Sequence, residues 1–451
     1  MNQKTITQFC DEDYLSYAKY VVEHRAIPSV IDGLKPTARK VVYIANKIWK
    51  SGNEKPLKVF QLGGKVASDA FYHHGDSSLS QAIIGMAQSF KNSMPLLSEL
   101  GQFGSLRSPD AGAPRYISTK LHPNFRLLYK DFELLSSRME EGSVIEPEYF
   151  LPILPTVLLN GSQGIAVGFA TNILNRNPLD LIDACLKMLD GKKVRELRPW
   201  IKGFSGTFEK DPENYKRWII RGRSDVLHTS AVQIHELPPG QTFEKYDKFL
   251  TSLIAKRKIS SYEDNCSNSI SYTIKMTRSD LATELKRDNL IKFLKLEESM
   301  SENFTTLDEH GKLKIFKTAS DIVEYFVNFR LTYYEKRKRY VINKLEAEVK
   351  LLSNRAKFIK YIIENKLKIN KQPKNHIIQN LVTFKFDEID GSFDYLLNMA
   401  IHSLTKERYE KIIKELQEKK IELIAAKTLV PKEMYKVDLM ELKKVIKKDF
   451  S

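Results

Sequence analysis

From Lys312 to Gln372 the chain contains neither glycine nor proline. Within that run Ile342, Leu345, Val349, Leu352, Ala356, Ile359 and Ile363 recur at alternating spacings of three and four. Such spacing puts them on one stripe of an α-helix and predicts a long packed helix whose seam lasts about three heptads. A second candidate runs from Thr405 to about Thr428, with Tyr409, Ile413, Leu416 and Leu423 on one face and Lys420 interrupting the seam. Two such helices can pair as an antiparallel coiled coil or join an ordinary helical bundle. At 451 residues the chain is too long for one core and is expected to form about three domains.

Ahead of these helices the punctuation is different. Residues 1 to about 30 read as an arm and a first helix. Pro36 suits the first turn of a helix continuing from Thr37 to Lys50. Gly63-Gly64 is expected to break the chain before a short helix, Lys65 to Phe71, and Gly75-Asp76 to cap another. That last helix, Ser77 to Phe90, carries Leu79, Ile83, Met86 and Ala87 at helical spacing. The pair forms a helix-turn-helix pattern with Ser77 to Phe90 as its recognition-type helix, though most such patterns in globular proteins touch no DNA. From about 157 to 318 the signals are mostly strands and turns, including Val157-Leu158-Leu159 before Asn160-Gly161, Ser269 to Met276, and Leu313 to Phe316. Tyr149 to Asn175 is uncharged and long enough to span a bilayer. Pro152, Pro155 and Gly161 make it a buried strand-turn-strand segment instead.

A net charge of +16 favours a polyanionic partner, because Lys and Arg contacts to phosphates release counterions. Cys10, Cys185 and Cys266 fit no metal-ligand spacing and suit a reducing compartment. Asp11, Glu12 and Asp13 leave no basic-then-apolar signal peptide at the start. The stretch with the most chemical content is Ala113-Pro114-Arg115-Tyr116-Ile117, shortly after Gly101-Gln102-Phe103-Gly104-Ser105. A phenol is a poor nucleophile while protonated, and needs neighbours that stabilise the phenolate or the charged transition state. A permanently charged guanidinium beside it can hold a phosphodiester oxygen while the phenol attacks phosphorus. Read alone, such a pair is far more often a surface cation beside a core tyrosine.

Other segments change that balance. Arg25-Ala26-Ile27-Pro28 leads into Ile31-Asp32-Gly33-Leu34-Lys35-Pro36 and then Arg39-Lys40-Val41-Val42-Tyr43. Further on stand Tyr72-His73-His74-Gly75-Asp76-Ser77-Ser78-Leu79 and Asn160-Gly161-Ser162-Gln163-Gly164-Ile165-Ala166-Val167-Gly168. In this order and at these separations they resemble the breakage-reunion (A-type) subunit of type IIA DNA topoisomerases. The Tyr-His-His-Gly form resembles eukaryotic and T-even phage enzymes, and the economical layout most resembles the medium subunit of the T-even bacteriophage enzyme.

The resemblance implies an α+β multidomain chain. It would hold an arm (1–30), a winged-helix DNA-gate domain with the tyrosine (31–156) and a mixed α/β tower domain (157–318). A first coiled-coil helix (319–370), a small helical dimerisation tip (371–404) and a returning helix with the C-terminus (405–451) would follow. Tyr116 would form a 5′-phosphotyrosyl bond, with Arg115 holding the phosphate, Arg25 supporting the nucleophile and His74 contacting phosphate or assisting the leaving hydroxyl. Tyr72 and His73 stand where bacterial relatives carry histidine and proline. Lys35, Arg39 and Lys40 would grip phosphates, against the reading of a solvated basic helix face. Ser77 and Gln81 would face the cleaved DNA. Ile165 would wedge between base pairs and bend the duplex, against the reading of a core isoleucine in a hairpin.

Cleavage of this kind calls for divalent metal, yet the sequence offers no Glu-Gly-Asp with paired Asp-x-Asp and no Gly-x4-Gly-Lys-[Ser/Thr] loop. Mg²⁺ and ATP are therefore expected on a separate ATPase/TOPRIM subunit, two of each chain forming an A2B2-type complex on double-stranded DNA. With no wrapping domain after Ser451, relaxation and decatenation are expected without active negative supercoiling. The expected location is the cytoplasm of a bacterial or phage-infected cell, away from membranes. Two other classes compete: a DNA-bending architectural protein that has lost cleavage, and a coiled-coil assembly protein with incidental basic charge.

Overall fold

The computed structural model describes residues 5–267, 269–287, 289–369, 372–400 and 405–449. Both ends of the region expected as a tip, including residues 371 and 401–404, lie outside the described residues. The chain divides into one unit of residues 1–330 and 438–451 and a second of residues 331–437.

In the first unit the arm is helical over residues 6–26, with π-helical stretches at Phe9–Tyr14 and Val22–Ala26. Only its end is buried: Val21, Val22, Ala26 and Ile27 pack against Leu307. Helix α1 (Pro36–Ile48) opens on proline, as expected. Helix α2 (Val59–Asp69) runs straight through Gly63-Gly64, which corrects the expected break. Gly63 is buried facing Leu79 and Ile83 of α3 (Asp76–Ala87), and that packing outweighs the roughly 1 kcal/mol a glycine costs in a helix. Asp76 is the first residue of α3, not its cap. Gly75 holds the cap position without a side-chain acceptor, and the Asp76 carboxylate complements the helix dipole from within the first turn.

Two-residue strands β1 (Leu57–Lys58) and β2 (Ser118–Thr119) pair and bring the Arg115-Tyr116 segment beside the start of α2. A wing hairpin, β3 (Ser137–Glu140) with β4 (Ser143–Pro147), follows. Val157-Leu158-Leu159 is a buried helical turn (Thr156–Leu159) and not a strand; a short apolar run does not distinguish the two. The hairpin comes after it, as β5 (Ser162–Ile165) and β6 (Ala170–Ile173). Among the described residues no helix is long and apolar enough to cross a membrane.

Strands β7 (Thr207–Lys210), β8 (Arg217–Arg221), β9 (Arg223–His228) and β10 (Ala231–Glu236) lead into helix α4 (Phe243–Ala255). Then come β11 (Ser261–Asp264), β12 (Tyr272–Lys275), β13 (Glu297–Ser301), β14 (Phe304–Leu307) and β15 (Leu313–Phe316). Antiparallel pairing gives a four-stranded sheet in the order β9-β10-β12-β11 and a three-stranded sheet, β13-β8-β7. Val232, Ile234, Tyr272 and Ile274 of the larger sheet bury against Tyr246 and Leu250 of α4. Alternation along β10 makes this possible, since every second side chain shares a face.

The second unit is built on helix α5 (Ala319–Ile363), which enters it at Leu331, with α6 (Lys374–Thr383) and α7 (Asp394–Leu397) beyond its end. Helix α8 (Lys406–Thr428) returns antiparallel to it. Ala356 and Ile359 pack on Ile412, and Lys419 and Lys427 pair with Glu348 (3.3 Å) and Glu346 (2.7 Å). Phe358, Leu381, Phe386, Phe393 and Leu396 form a small core at the far end. The returning segment is two helices. It breaks at Leu429-Val430, and α9 (Pro431–Asp449) restarts on a proline, which lacks the amide needed to continue α8.

Candidate active site

The Tyr116 loop is fixed by its backbone. The Gly112 amide donates to the Gln102 carbonyl (2.8 Å) and the Tyr116 amide to the Ala113 carbonyl (2.9 Å). From the start of α2, the Phe60 amide donates to the Pro114 carbonyl (3.2 Å), and Lys58 Nζ donates to the carbonyl of Tyr116 itself (2.9 Å). The side chain is left in solvent: Tyr116 is 73% exposed, and the Arg115 guanidinium lies 5.9 Å from its ring centre. A backbone held by hydrogen bonds, an exposed phenol and an adjacent permanent cation suit attack on an incoming phosphate.

A second group joins the arm to the start of α3. Tyr20 Oη and His74 Nε2 are 3.1 Å apart, and His74 meets the Tyr72 ring edge-on at 5.4 Å. Burial pushes the Tyr72 phenol up, opposed by a hydrogen bond with Thr37 and by the positive charge of exposed Arg25. His73 points elsewhere, to Glu140 on the wing (3.7 Å). The structure thus sets Arg25 and His74 each beside Tyr72, and Arg115 beside Tyr116; among the described residues no hydrogen bond or ion pair joins the two groups.

Lys35, Gln81, Lys91, Asn92 and Gln163 line an open cleft of about 470 Å³. Lys35 Nζ donates to the Gln163 carbonyl (2.7 Å), and burial pulls its pKa below the ordinary lysine value. Ser77 and Gln81 are exposed on one face of α3. Ile165, 85% exposed, ends β5 beside the turn of its hairpin, so it is not a core residue. Gly164 lets this hairpin rest on the end of the arm, since a Cβ there would lie 2.2 Å from the Ala26 carbonyl oxygen.

Two residues expected to grip phosphate do not face solvent. Arg39 is 6% exposed, with Nε 2.7 Å and Nη2 3.0 Å from the carboxylate of fully buried Asp32, and Nη2 also donates to the Leu34 carbonyl. Lys40 is mostly buried, pairing with Glu146 (3.1 Å) and Glu140 (3.5 Å) and donating to the Ala70 carbonyl. A cation desolvated against carboxylates is unavailable to a phosphate without breaking that pair. Conversely, Lys58, Lys91 and Tyr20 were not legible as site residues, since nothing local in the sequence sets them apart.

Among the described residues no group of three or more His, Cys, Asp or Glu is placed to hold a metal ion. His73 and His74 diverge toward Glu140 and Tyr20, so these side chains do not fit a divalent-metal site of their own.

Over residues 25–443 the chain matches the family of DNA gyrase/topoisomerase IV A-type subunits. It is 33% identical to the mitochondrial DNA topoisomerase 2 of Dictyostelium discoideum, over 98% of this chain and 35% of that protein. With the DNA topoisomerase 2 of Plasmodium falciparum it shares 34% identity over 97% of this chain and 34% of that protein. The crystal structure of the Plasmodium falciparum topoisomerase II DNA-binding, cleavage and re-ligation domain is similar at a TM-score of 0.85 and 34% identity, covering 97% of this chain and 64% of that one. The chain spans about a third of the length of the curated relatives it matches.

Proposed function

The chain belongs to the family of DNA gyrase/topoisomerase IV A-type subunits, and from that premise we propose that it cleaves and rejoins double-stranded DNA for a type II topoisomerase. The observation that carries this reading is the exposed Tyr116 phenol beside Arg115 on a loop pinned by Lys58 and the start of α2. In the reaction Tyr116 Oη attacks a backbone phosphorus. The phosphorus–O3′ bond breaks, the phenol gives up its proton and the 3′ oxygen gains one. One phosphodiester replaces another, so the break reseals by the reverse step after a second duplex has passed. Arg115 neutralises the phosphate oxygens, and His74, oriented by Tyr20, contacts phosphate or protonates the leaving oxygen, with Arg25 nearby. Lys35, Ser77 and Gln81 contact the duplex, and Ile165 wedges into it. Arg39 and Lys40 hold the scaffold.

In this reading two copies dimerise through the tip, and Mg²⁺ and ATP are held by a partner ATPase/TOPRIM subunit in an A2B2-type complex. Relaxation and decatenation are the expected outputs. Tyr72-His73-His74-Gly75 fits the eukaryotic and the T-even phage forms of such an enzyme alike.

The test incubates the chain with supercoiled plasmid, Mg²⁺, ATP and an ATPase/metal subunit proven competent on another cleaving chain. After a denaturing quench, mass spectrometry seeks a DNA adduct on Tyr116 that Tyr116→Phe loses. Bound but uncut DNA would favour the architectural reading.

A further inference from the structure

The Tyr116 loop is also tied into the four-stranded sheet, through a side chain the proposed reaction does not use. Arg107 is 7% exposed. Its Nη1 donates to the carbonyls of Pro238 (2.9 Å) and Gln241 (3.0 Å); its Nη2 donates to Glu236 Oε1 (2.6 Å) and to the Leu237 carbonyl. The Arg107 carbonyl accepts from the Phe243 amide at the start of α4 (3.1 Å). Glu236 ends β10, and its other oxygen accepts from the Ser205 amide and hydroxyl, both at 3.0 Å.

On the loop side, Ser105 and Ser108 exchange backbone hydrogen bonds around Arg107. Gly104 has a φ of +84°, and a Cβ there would lie 2.7 Å from the Pro109 carbonyl oxygen. Gln88, just past α3, donates to the carbonyls of Phe103 (2.7 Å) and Pro109 (3.2 Å), clamping both ends of the turn. The turn therefore cannot shift against the sheet without breaking buried bonds.

We propose that Arg107 is a positioning residue for DNA cleavage, coupling the sheet β9–β12 to the placement of Tyr116 through the turn that Gln88 and Ser105–Ser108 hold. The inference rests on the topoisomerase reading. Only a planar guanidinium fork meets acceptors on two sides at once; a lysine keeps the charge but abandons one pair. Displacing an attacking atom by about 1 Å lowers rate about 100-fold.

The test compares Arg107→Lys and Glu236→Gln with Arg176→Lys. Arg176 is an equally buried arginine bonded to Leu197, Leu174 and Glu302, away from the loop. In the full chain, Arg107→Lys and Glu236→Gln should speed hydrogen exchange at the Gly112 and Tyr116 amides about tenfold, while Arg176→Lys should not. At saturating DNA the single-turnover rate of Tyr116 adduct formation should fall about 100-fold with DNA affinity unchanged. Equal loop exchange in Arg107→Lys and Arg176→Lys would overturn the coupling. Faster exchange with an unchanged adduct rate would overturn the positioning role. A wild-type chain that forms no adduct beside a competent partner would overturn the topoisomerase reading, and this inference with it.

Discussion

Two cation-bearing segments, Lys35 to Lys40 and Arg115-Tyr116, look alike in sequence and behave oppositely in space. In the first, Arg39 and Lys40 turn inward onto Asp32, Glu140 and Glu146, and only Lys35 reaches a cleft. In the second, Arg115 and Tyr116 stand in solvent on a backbone held by others. What separates a scaffold cation from a working one is the carboxylate it meets through the fold. A partner seven residues away across an irregular turn (Asp32 for Arg39), or 106 residues away (Glu146 for Lys40), leaves no periodic trace.

The largest expected effect on this contrast is from Tyr116→Phe, which should abolish the DNA adduct while leaving DNA affinity within about twofold, since one exposed hydroxyl contributes little to binding; equilibrium binding and quenched cleavage read both. Next is Arg39→Met. It strands the buried Asp32 carboxylate and should lower unfolding stability by about 3–5 kcal/mol in denaturant titration. Unchanged stability with a reduced salt dependence of DNA binding would return Arg39 to the phosphate contacts and break the comparison. Ile165→Ala should leave stability unchanged, because the side chain lies in solvent, yet reduce DNA bending measured by fluorescence transfer and weaken binding by about 1–2 kcal/mol.

The smallest effect concerns Lys35. Burial lowers its pKa, so in the folded chain it loses its proton at a lower pH than an ordinary lysine. As pH rises toward 10, its contribution to DNA affinity should vanish before that of exposed lysines. Lys35→Arg should remove this early decline, and Lys35→Met should reduce the salt slope by about one phosphate. The same variants at Lys40 should leave the slope unchanged.

The long helices were legible because part of their apolar stripe is kept: Ala356 and Ile359 of the predicted seam bury against Ile412, while Ile363 at its end is exposed. Pro36 at the start of α1 was equally plain. Where local rules failed, tertiary packing had overruled them, as at Gly63-Gly64 inside α2, or the apolar run was too short to carry a period, as at Val157–Leu159. At the candidate site, residue chemistry marked Arg115-Tyr116 as a candidate, and only the motifs around it raised the pair above a surface cation beside a core tyrosine. The bond from Lys58 to the Tyr116 carbonyl, the Tyr20–His74 contact and the Arg107–Glu236 pair could not, since each joins segments 54 to 129 residues apart.

Ile165 has a thermodynamic consequence. A free protein that keeps this side chain in water carries an ordered hydration shell at one fixed point of its surface. Whatever surface covers it sheds that shell, and association acquires a negative heat-capacity increment that charge pairing does not supply. The binding enthalpy should therefore become steadily more favourable on warming, and a chain with alanine at 165 should show a flatter slope in calorimetry over the same range.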